Sequence, residues 1–173
     1  GSSLAMGRKT TASALGSTAI GNETKASGNF STAMGGETNA SGEYSTAMGY
    51  NTNALRNYST AMGEITTASG RSSTAMGNYT IARSRGETVL GMNNTDYTPS
   101  SPDTYGSTDR LFVIGNGTSS FARSDALVML KNAETTLYGN MNIVGSLNVK
   151  GGLHIGTKSG GFKLPIEKGT AGH

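Results

Sequence analysis

Small and large apolar residues recur at a fixed spacing along the first ninety residues, and this spacing predicts the elements. The pentapeptide STAMG begins at Ser31, Ser45, Ser59 and Ser73. Its glycine belongs to a series spaced 14 residues apart, made up of Gly7, Gly21, Gly35, Gly49, Gly63, Gly77 and Gly91. Each of these glycines follows a large apolar residue, which itself follows a small one. A short period kept over this many copies indicates a stacked repeat architecture.

A second motif, T-x-A, runs in phase with the first, for example at Thr24–Ala26 and Thr38–Ala40. Each period therefore predicts two short strands separated by turns. A helix is excluded because two glycines per period would weaken every helical turn. The prediction is an all-β solenoid with one 14-residue coil per layer and about 4.8 Å between layers.

Alternation along S-T-A-M places Thr and Met on one face of the strand and Ala on the other. We expect Met, together with the T-x-A side chains, to fill the interior. The small residues would then form a flat outward ribbon that needs a partner. Three rolls around one axis would bury it, which predicts a homotrimer. The interface residues on this interpretation are Ala19, Ala33, Ala47, Ala61, Ala75 and Val89.

Phe30, Tyr44 and Tyr58 occupy one repeat position in three consecutive coils. We expect their rings to stack as an exposed aromatic ladder. Stacking that stabilises the roll is favoured over a platform for binding glycans, and the second role is kept as the candidate binding site.

The recurring STAMG and STAIG, with ASG between them, resemble the head repeats of YadA-like trimeric autotransporter adhesins over about residues 4–92. The resemblance implies a left-handed parallel β-roll, with three rolls forming one head. Leu55-Arg56 and Arg83-Ser84 depart from the repeat, and we expect altered corners there. The β-roll head is assigned to residues 1–92.

Residues 93–132 break the period and are assigned to a loop and neck strands. We expect the loop 93–109 to connect the roll to a shaft and to cross to a neighbouring subunit. LFVIG and ALVMLK predict a hairpin or two neck strands, although Ser124-Asp125 could also cap a short helix.

Residues 133–158 carry a second period, in which Gly139, Gly145 and Gly151 lie six residues apart. Six residues with one apolar pair cannot form a core alone, whereas three intertwined chains can. This part resembles the triple-stranded β shafts of phage tail fibres, and residues 159–173 are assigned to a linker or tail. The expected shaft interface consists of Met141, Ile143, Leu147, Val149, Leu153 and Ile155.

The composition supports a thin architecture and offers little catalytic chemistry. Glycine accounts for 26 of 173 residues, charged residues for 14%, and cysteine is absent. The net charge of +3 is spread without a basic stripe, so we expect no nucleic-acid partner. No apolar run approaches the roughly 20 residues that cross a bilayer, so we expect no membrane insertion of this segment.

Candidate chemical sites are few. Only His154 and His173 are available as histidines, so no catalytic residue is nominated and no cofactor or metal is expected. Asp96, Asp103 and Asp109 share one loop and could hold a cation, but a solvated loop is the favoured interpretation.

The sequence therefore predicts a non-enzymatic, extracellular, trimeric fibre or adhesin segment that presents a binding surface to host cells, matrix or glycans. It would lie on a bacterial surface or on the fibre of a virion or injection particle. The alternative is a structural spacer of such a fibre. Ice binding through the Thr files is a distant third.

Overall fold

A computed structural model describes residues 2–150 of the chain, and every regular element in that range is a β-strand. The strands are β1 (Leu4–Arg8), β2 (Thr11–Ala12), β3 (Thr18–Asn22), β4 (Lys25–Ala26), β5 (Thr32–Gly36), β6 (Asn39–Ala40), β7 (Thr46–Tyr50), β8 (Asn53–Ala54), β9 (Thr60–Glu64), β10 (Thr67–Ala68), β11 (Thr74–Asn78), β12 (Ile81–Ala82), β13 (Thr88–Met92), β14 (Arg110–Asn116), β15 (Asp125–Leu130) and β16 (Thr135–Leu137).

Odd-numbered and even-numbered strands of the repeat form two separate parallel sheets. The first sheet has ten strands in the order β1-β3-β5-β7-β9-β11-β13-β14-β15-β16, and the second has six in the order β12-β10-β8-β6-β4-β2. Equivalent residues of successive coils pair in register, as Ala33 does with Ala47 and Met34 with Met48. The predicted all-β solenoid with 14-residue coils is confirmed.

The interior of the roll is built mainly from small side chains, with Glu87, Val89 and Val113 at one end. Each coil contributes a Thr and an Ala from the second sheet and a Ser and an Ala from the first. The interior alanines of both sheets from Ala19 to Ala82 are 0% exposed, for example Ala40 and Ala47. Each interior serine lies next to a corner, where the hydroxyl of Ser45 donates to the Gly42 carbonyl at 2.6 Å.

The expected orientation of the first sheet is wrong. Ala19, Ala33, Ala47, Ala61, Ala75 and Val89 point into the roll and are 0% exposed within the single chain, so they cannot form a subunit interface. Met34 and Met48 point outward and are half-buried. Two sheets joined by short corners leave room for Ala, Ser and Thr but none for Met. The narrow interior therefore places the alanines inside and the methionines outside.

Glycine is required at two kinds of position in the coil, one inside the strands of the first sheet and one at a corner. Gly49 has a φ of 124°, and a Cβ there would lie 2.0 Å from the Gly63 carbonyl oxygen. Gly28 has ordinary backbone angles, but a Cβ would lie 2.0 Å from the Gly42 oxygen. At the departure Leu55-Arg56 the turn is unaltered, because the Ser59 N–H still donates to the Arg56 carbonyl at 3.1 Å.

The segment LFVIG is a further coil of the roll. β14 pairs in parallel with β13, with Val89 opposite Val113 and Gly91 opposite Gly115. The step from Gly91 to Gly115 is 24 residues where the repeat has 14, so ten residues are inserted. The predicted hairpin is confirmed by antiparallel β14 and β15, and Asp125–Leu130 is a strand with no helix.

The inserted loop 93–109 packs against its own roll, so the expected crossing to a neighbouring subunit is wrong for this loop. The Arg71 N–H donates to the Pro102 carbonyl at 2.8 Å. Asp96 and Asp103 reach corner arginines of earlier coils.

The chain divides into two compact units, Gly1–Asn140 and Met141–His173. Within the second unit, the described residues 141–150 form no strand and all are exposed. Met141, Ile143, Leu147 and Val149 remain 41–73% exposed within this chain, and their role in an intertwined shaft stays a prediction. Leu153, Ile155, both histidines and the tail 159–173 lie outside the described residues.

Candidate binding surface and subunit interface

Part of the outer side of the first sheet is a continuous uncharged surface, which we call the Thr/Met face. It runs from β3 across the parallel coils and onto β14 and β15. Its side chains are Thr18, Ile20, Thr32, Met34, Thr46, Met48, Thr60, Met62, Thr74, Met76, Thr88, Leu90, Phe112, Ile114, Leu127 and Met129. None of them is charged, and Met76 and Ile114 are 39% and 37% exposed. Large continuous apolar surfaces on soluble proteins mark interaction sites.

The aromatic ladder forms as expected. The ring centroids of Phe30 and Tyr44 lie 5.1 Å apart, and those of Tyr44 and Tyr58 lie 5.5 Å apart with an interplanar angle of 2°. All three residues have positive φ, between 54° and 62°. Each ring is nearly half exposed, which leaves the ring edges in contact with solvent.

Both ends of the ladder are covered. At one end the Phe30 ring leans over Gly16, where an added Cβ would lie 2.7 Å from it. At the other end the Arg71 guanidinium lies 5.8 Å from the centroid of the Tyr58 ring. A sugar stacks on the face of an aromatic ring, and the faces within this stack are already occupied. The geometry therefore favours a stabilising role for the ladder, and its role as a binding site stays a prediction.

The two departures from the repeat are the places where the loop docks. Arg83 makes a bidentate ion pair with Asp96, and Arg56 lies 3.8 Å from Asp103. Leu55, with Pro99 and Pro102 of the loop, completes a cavity of about 420 Å³. A sequence signal for this docking existed, since both positions replace the usual Ser or Gly with a large side chain.

The three aspartates of the loop do not form a cation site. Asp96 and Asp103 pair with different arginines, while Asp109 accepts hydrogen bonds from the backbone N–H and the hydroxyl of Ser100 at 2.7 and 2.6 Å. Across residues 2–150, no three His, Asp or Glu side chains gather in a way that could hold a metal.

A buried polar cluster closes the end of the roll beneath the loop. The Arg110 guanidinium lies 3.4 Å from Asp125; the Asp125 side chain is buried and that of Arg110 is mostly covered. The guanidinium also donates to the Thr95 carbonyl at 2.8 Å and stacks on the Tyr97 ring at 4.4 Å. Burial raises the pKa of the Tyr97 hydroxyl to about 12, with the carboxylate of Glu87 acting in the same direction.

Glu87 is the buried acid of this cluster and replaces the interior serine of the earlier coils. Its Oε2 accepts hydrogen bonds from the N–H groups of Arg83 and Ser84 at 2.7 and 2.8 Å, whereas Oε1 has no partner. Burial raises the pKa of Glu87 to about 7, although those two N–H groups lower it in part.

Comparison with protein families identifies the repeat. The profile described as YadA head domain repeat (2 copies) matches residues 1–24, 12–38, 26–52, 40–63 and 57–80. Residues 1–80 are YadA-like head repeats. They carry β1–β11 and most of the Thr/Met face, and the family implies a surface-exposed location. No curated protein matches the chain.

The roll continues beyond the matched residues. It was expected to end at residue 92, so the further coil that contains β14 was not predicted from the sequence. LFVIG keeps the order of a large apolar residue before Gly, and Val113 takes the place of the interior alanine. Asn94 was also missed: its amide donates to the Ile81 carbonyl at 3.0 Å and accepts from the Ile81 N–H at 2.8 Å. In the described part of the chain, no helix has the length and apolar character to cross a membrane.

Proposed function

We propose that the chain is a segment of a homotrimeric, adhesin-like surface fibre in which three rolls pack through their Thr/Met faces. The observation that carries this proposal is the uncharged face itself, which spans strands from β3 to β15. Burying this face against two copies of the same chain would remove Met and Ile side chains from water. The burial would stabilise the assembly by about 25 cal/mol per Å² of apolar surface. Trimeric assembly of YadA-type heads supports three copies as the number.

Cyclic symmetry suits this face because each subunit presents the same file of residues to its neighbours. Thr and Met at matching heights would meet in layers, one layer per coil. The exposed residues 141–150 would add a second region of contact if they intertwine, as their apolar pairs at Leu147 and Val149 suggest. Presentation of a binding surface to cells, matrix or glycans is the role that such a segment would serve.

Light scattering during gel filtration tests the assembly. We expect the mass of three chains for the unchanged protein and a smaller mass for Met48→Glu, because the carboxylate would be buried between subunits without a partner. The matched control is Asn53→Glu, which adds the same charge on the outside of the second sheet and should remain trimeric. A single-chain mass for the unchanged protein, or equal masses for the two variants, would reject the Thr/Met face as the interface.

A structural spacer within a longer fibre is the second candidate, and the covered ring faces of the ladder favour it. Saturable binding of the intact trimer to cells or to a glycan array supports the adhesin. An intact trimer that binds none of these surfaces supports the spacer.

A further inference from the structure

A cavity of about 440 Å³ opens at the corner of the last regular coil. It is lined by Arg85, Gly86, Tyr105, Leu111 and Lys131. Gly86 occupies the repeat position that Phe30, Tyr44 and Tyr58 hold in earlier coils, with a similar φ of 69°. A Cβ added at Gly86 would meet no atom within 4 Å. The volume that a further ring of the ladder would fill is therefore open.

Two cations face this cavity, and no carboxylate lines it. Arg85 is exposed and takes part in none of the ion pairs of residues 2–150. Lys131 donates one hydrogen bond, from Nζ to the Ser84 hydroxyl at 3.0 Å. Burial lowers the pKa of Lys131. The carboxylates of Asp109 and Glu87 raise this pKa in part, and the positive charge of Arg85 has a smaller lowering effect. An anion held between the two side chains would relieve this repulsion.

The neighbouring acids do not supply that anion. Asp109 and Glu87 attract the Lys131 charge from a distance, but both are buried and accept hydrogen bonds elsewhere. Neither is among the residues that line the cavity.

The rest of the lining is suited to a ring. Tyr105 is 65% exposed and Leu111 is 40% exposed, so an aromatic face and an aliphatic side chain border the same opening. The Tyr105 hydroxyl donates to the Lys131 carbonyl at 3.3 Å, which holds the tyrosine beside the cation. An extended peptide has no strand edge to pair with here, because the Gly86 N–H already donates to the Arg71 carbonyl at 2.8 Å.

We propose that this cavity binds an anionic sugar residue, a pyranose bearing a carboxylate or a sulfate group. Arg85 and Lys131 would hold the anionic group, and Tyr105 and Leu111 would contact the C–H face of the ring. The volume falls within the range of small-ligand sites. This inference rests on the proposed function, since it names the class of ligand that the adhesin-like segment would bind.

Calorimetric titration of the full chain tests the site, with methyl glucuronide, methyl glucoside 6-sulfate and neutral methyl glucoside as probes. We expect at least one of the two anionic sugars to bind and the neutral sugar to bind at least about tenfold more weakly, as loss of a charged hydrogen bond predicts. Which anionic sugar binds more tightly distinguishes a carboxylate ligand from a sulfate ligand.

Two variants locate the binding. Arg85→Gln should weaken it about tenfold or more, whereas Arg71→Gln, which removes the same charge one coil earlier, should leave it unchanged. Gly86→Tyr should abolish it by filling the cavity, and its fold should survive because tyrosine is accommodated at the same φ at Tyr44 and Tyr58.

The proposal is overturned if no sugar binds, if acetate or sulfate ions bind as tightly as the sugars, or if both arginine variants weaken binding alike. Light scattering on the same sample gives its mass, which distinguishes failure of the sugar-binding proposal from failure of the proposed trimer. An intact trimer without sugar binding rejects the cavity alone, and since the cavity lies within one chain, its binding can also be measured on a monomer.

Discussion

The carboxyl group of Glu87 stands where earlier coils place a serine hydroxyl, in an interior that consists mainly of Ala, Ser and Thr, with Val89 and Val113 nearby. Two backbone N–H groups satisfy one of its oxygens, and the other oxygen has no partner. The uncharged acid is therefore favoured by this environment. The end of the roll contains one group whose charge state changes near neutral pH.

This arrangement predicts a stability that falls as the pH rises. The pKa of Glu87 is raised from 4.5 to about 7, so between these values the folded chain keeps a proton that the unfolded chain releases. The contribution of Glu87 to the free energy of unfolding should be highest below pH 4.5, should fall as the pH rises to about 7, and should level off above it. At about 1.4 kcal/mol per pKa unit, the total loss is about 3 kcal/mol.

Denaturant unfolding at pH 5 and pH 8, at one protein concentration, measures this loss. Glu87→Gln should flatten the difference, because the amide oxygen still accepts both N–H bonds and carries no charge. Glu64→Gln removes an exposed carboxylate and should retain it. A Glu87→Gln chain that still lost stability between these pH values would assign the effect to another group.

The residue pattern alone could predict which side chains share a face but not which face is interior. Ala47 and Met48 alternate in any strand, and hydrophobicity favours Met for the core. The width of the roll decides otherwise, and that width depends on the corners and on both sheets together. The ladder of Phe30, Tyr44 and Tyr58 was predictable because it requires only equal spacing and in-register stacking.

Among the elements, the second sheet ends at β12, whereas the first continues beyond β13 through β14 and β15 to β16, so the two sheets differ in length. Asn94 covers the edge of the second sheet, where its side-chain amide replaces the backbone of a missing strand. The sequence pattern did not single out this asparagine. Asn94 lies 14 residues after Thr80, as the repeat requires, but the residues around Asn94 no longer follow the repeat. The coil that contains β14 was not recognised because of the inserted loop: Gly115 follows Gly91 after 24 residues, whereas the period is 14.

Asn94→Ala should expose the edge of β12. The backbone N–H and carbonyl of Ile81 would lose their partners, which costs about 1–3 kcal/mol for buried groups. Hydrogen exchange should show faster exchange of the Ile81 amide, while Asn78→Ala, which removes only a surface contact with Glu64, should leave that amide protected. Equal protection in the two variants would contradict the capping role of Asn94.

At the scale of the whole molecule, the proposed trimer has two regions of contact, and they differ in how far their folding depends on assembly. The roll can fold with its small interior filled by its own chain, so the Thr/Met face is an addition to a core that already exists. Residues 141–150 have no such core, because all of them are exposed within the chain. If they intertwine, their order depends on assembly.

Leu147→Asp tests this difference. It should reduce the trimer mass at low protein concentration, because three carboxylates would meet where an apolar layer is expected. The circular dichroism signal of the roll should remain. Asn148→Asp adds the same charge on the opposite side of the segment and should keep the full mass. A trimer that tolerates Leu147→Asp at every concentration would argue against an intertwined shaft.

The in-register pairing of similar coils has a consequence for how the number of repeats can change during evolution. Because each coil stacks on the one before through equivalent residues, a whole copy of the repeat added or deleted ahead of the coils that contact the loop would leave the strand pairing of the remaining coils in place. Near-identical copies such as the STAMG coils are natural substrates for unequal recombination in the gene. The reach of the head can therefore change in steps of one strand spacing, about 4.8 Å, with no new interface to be selected.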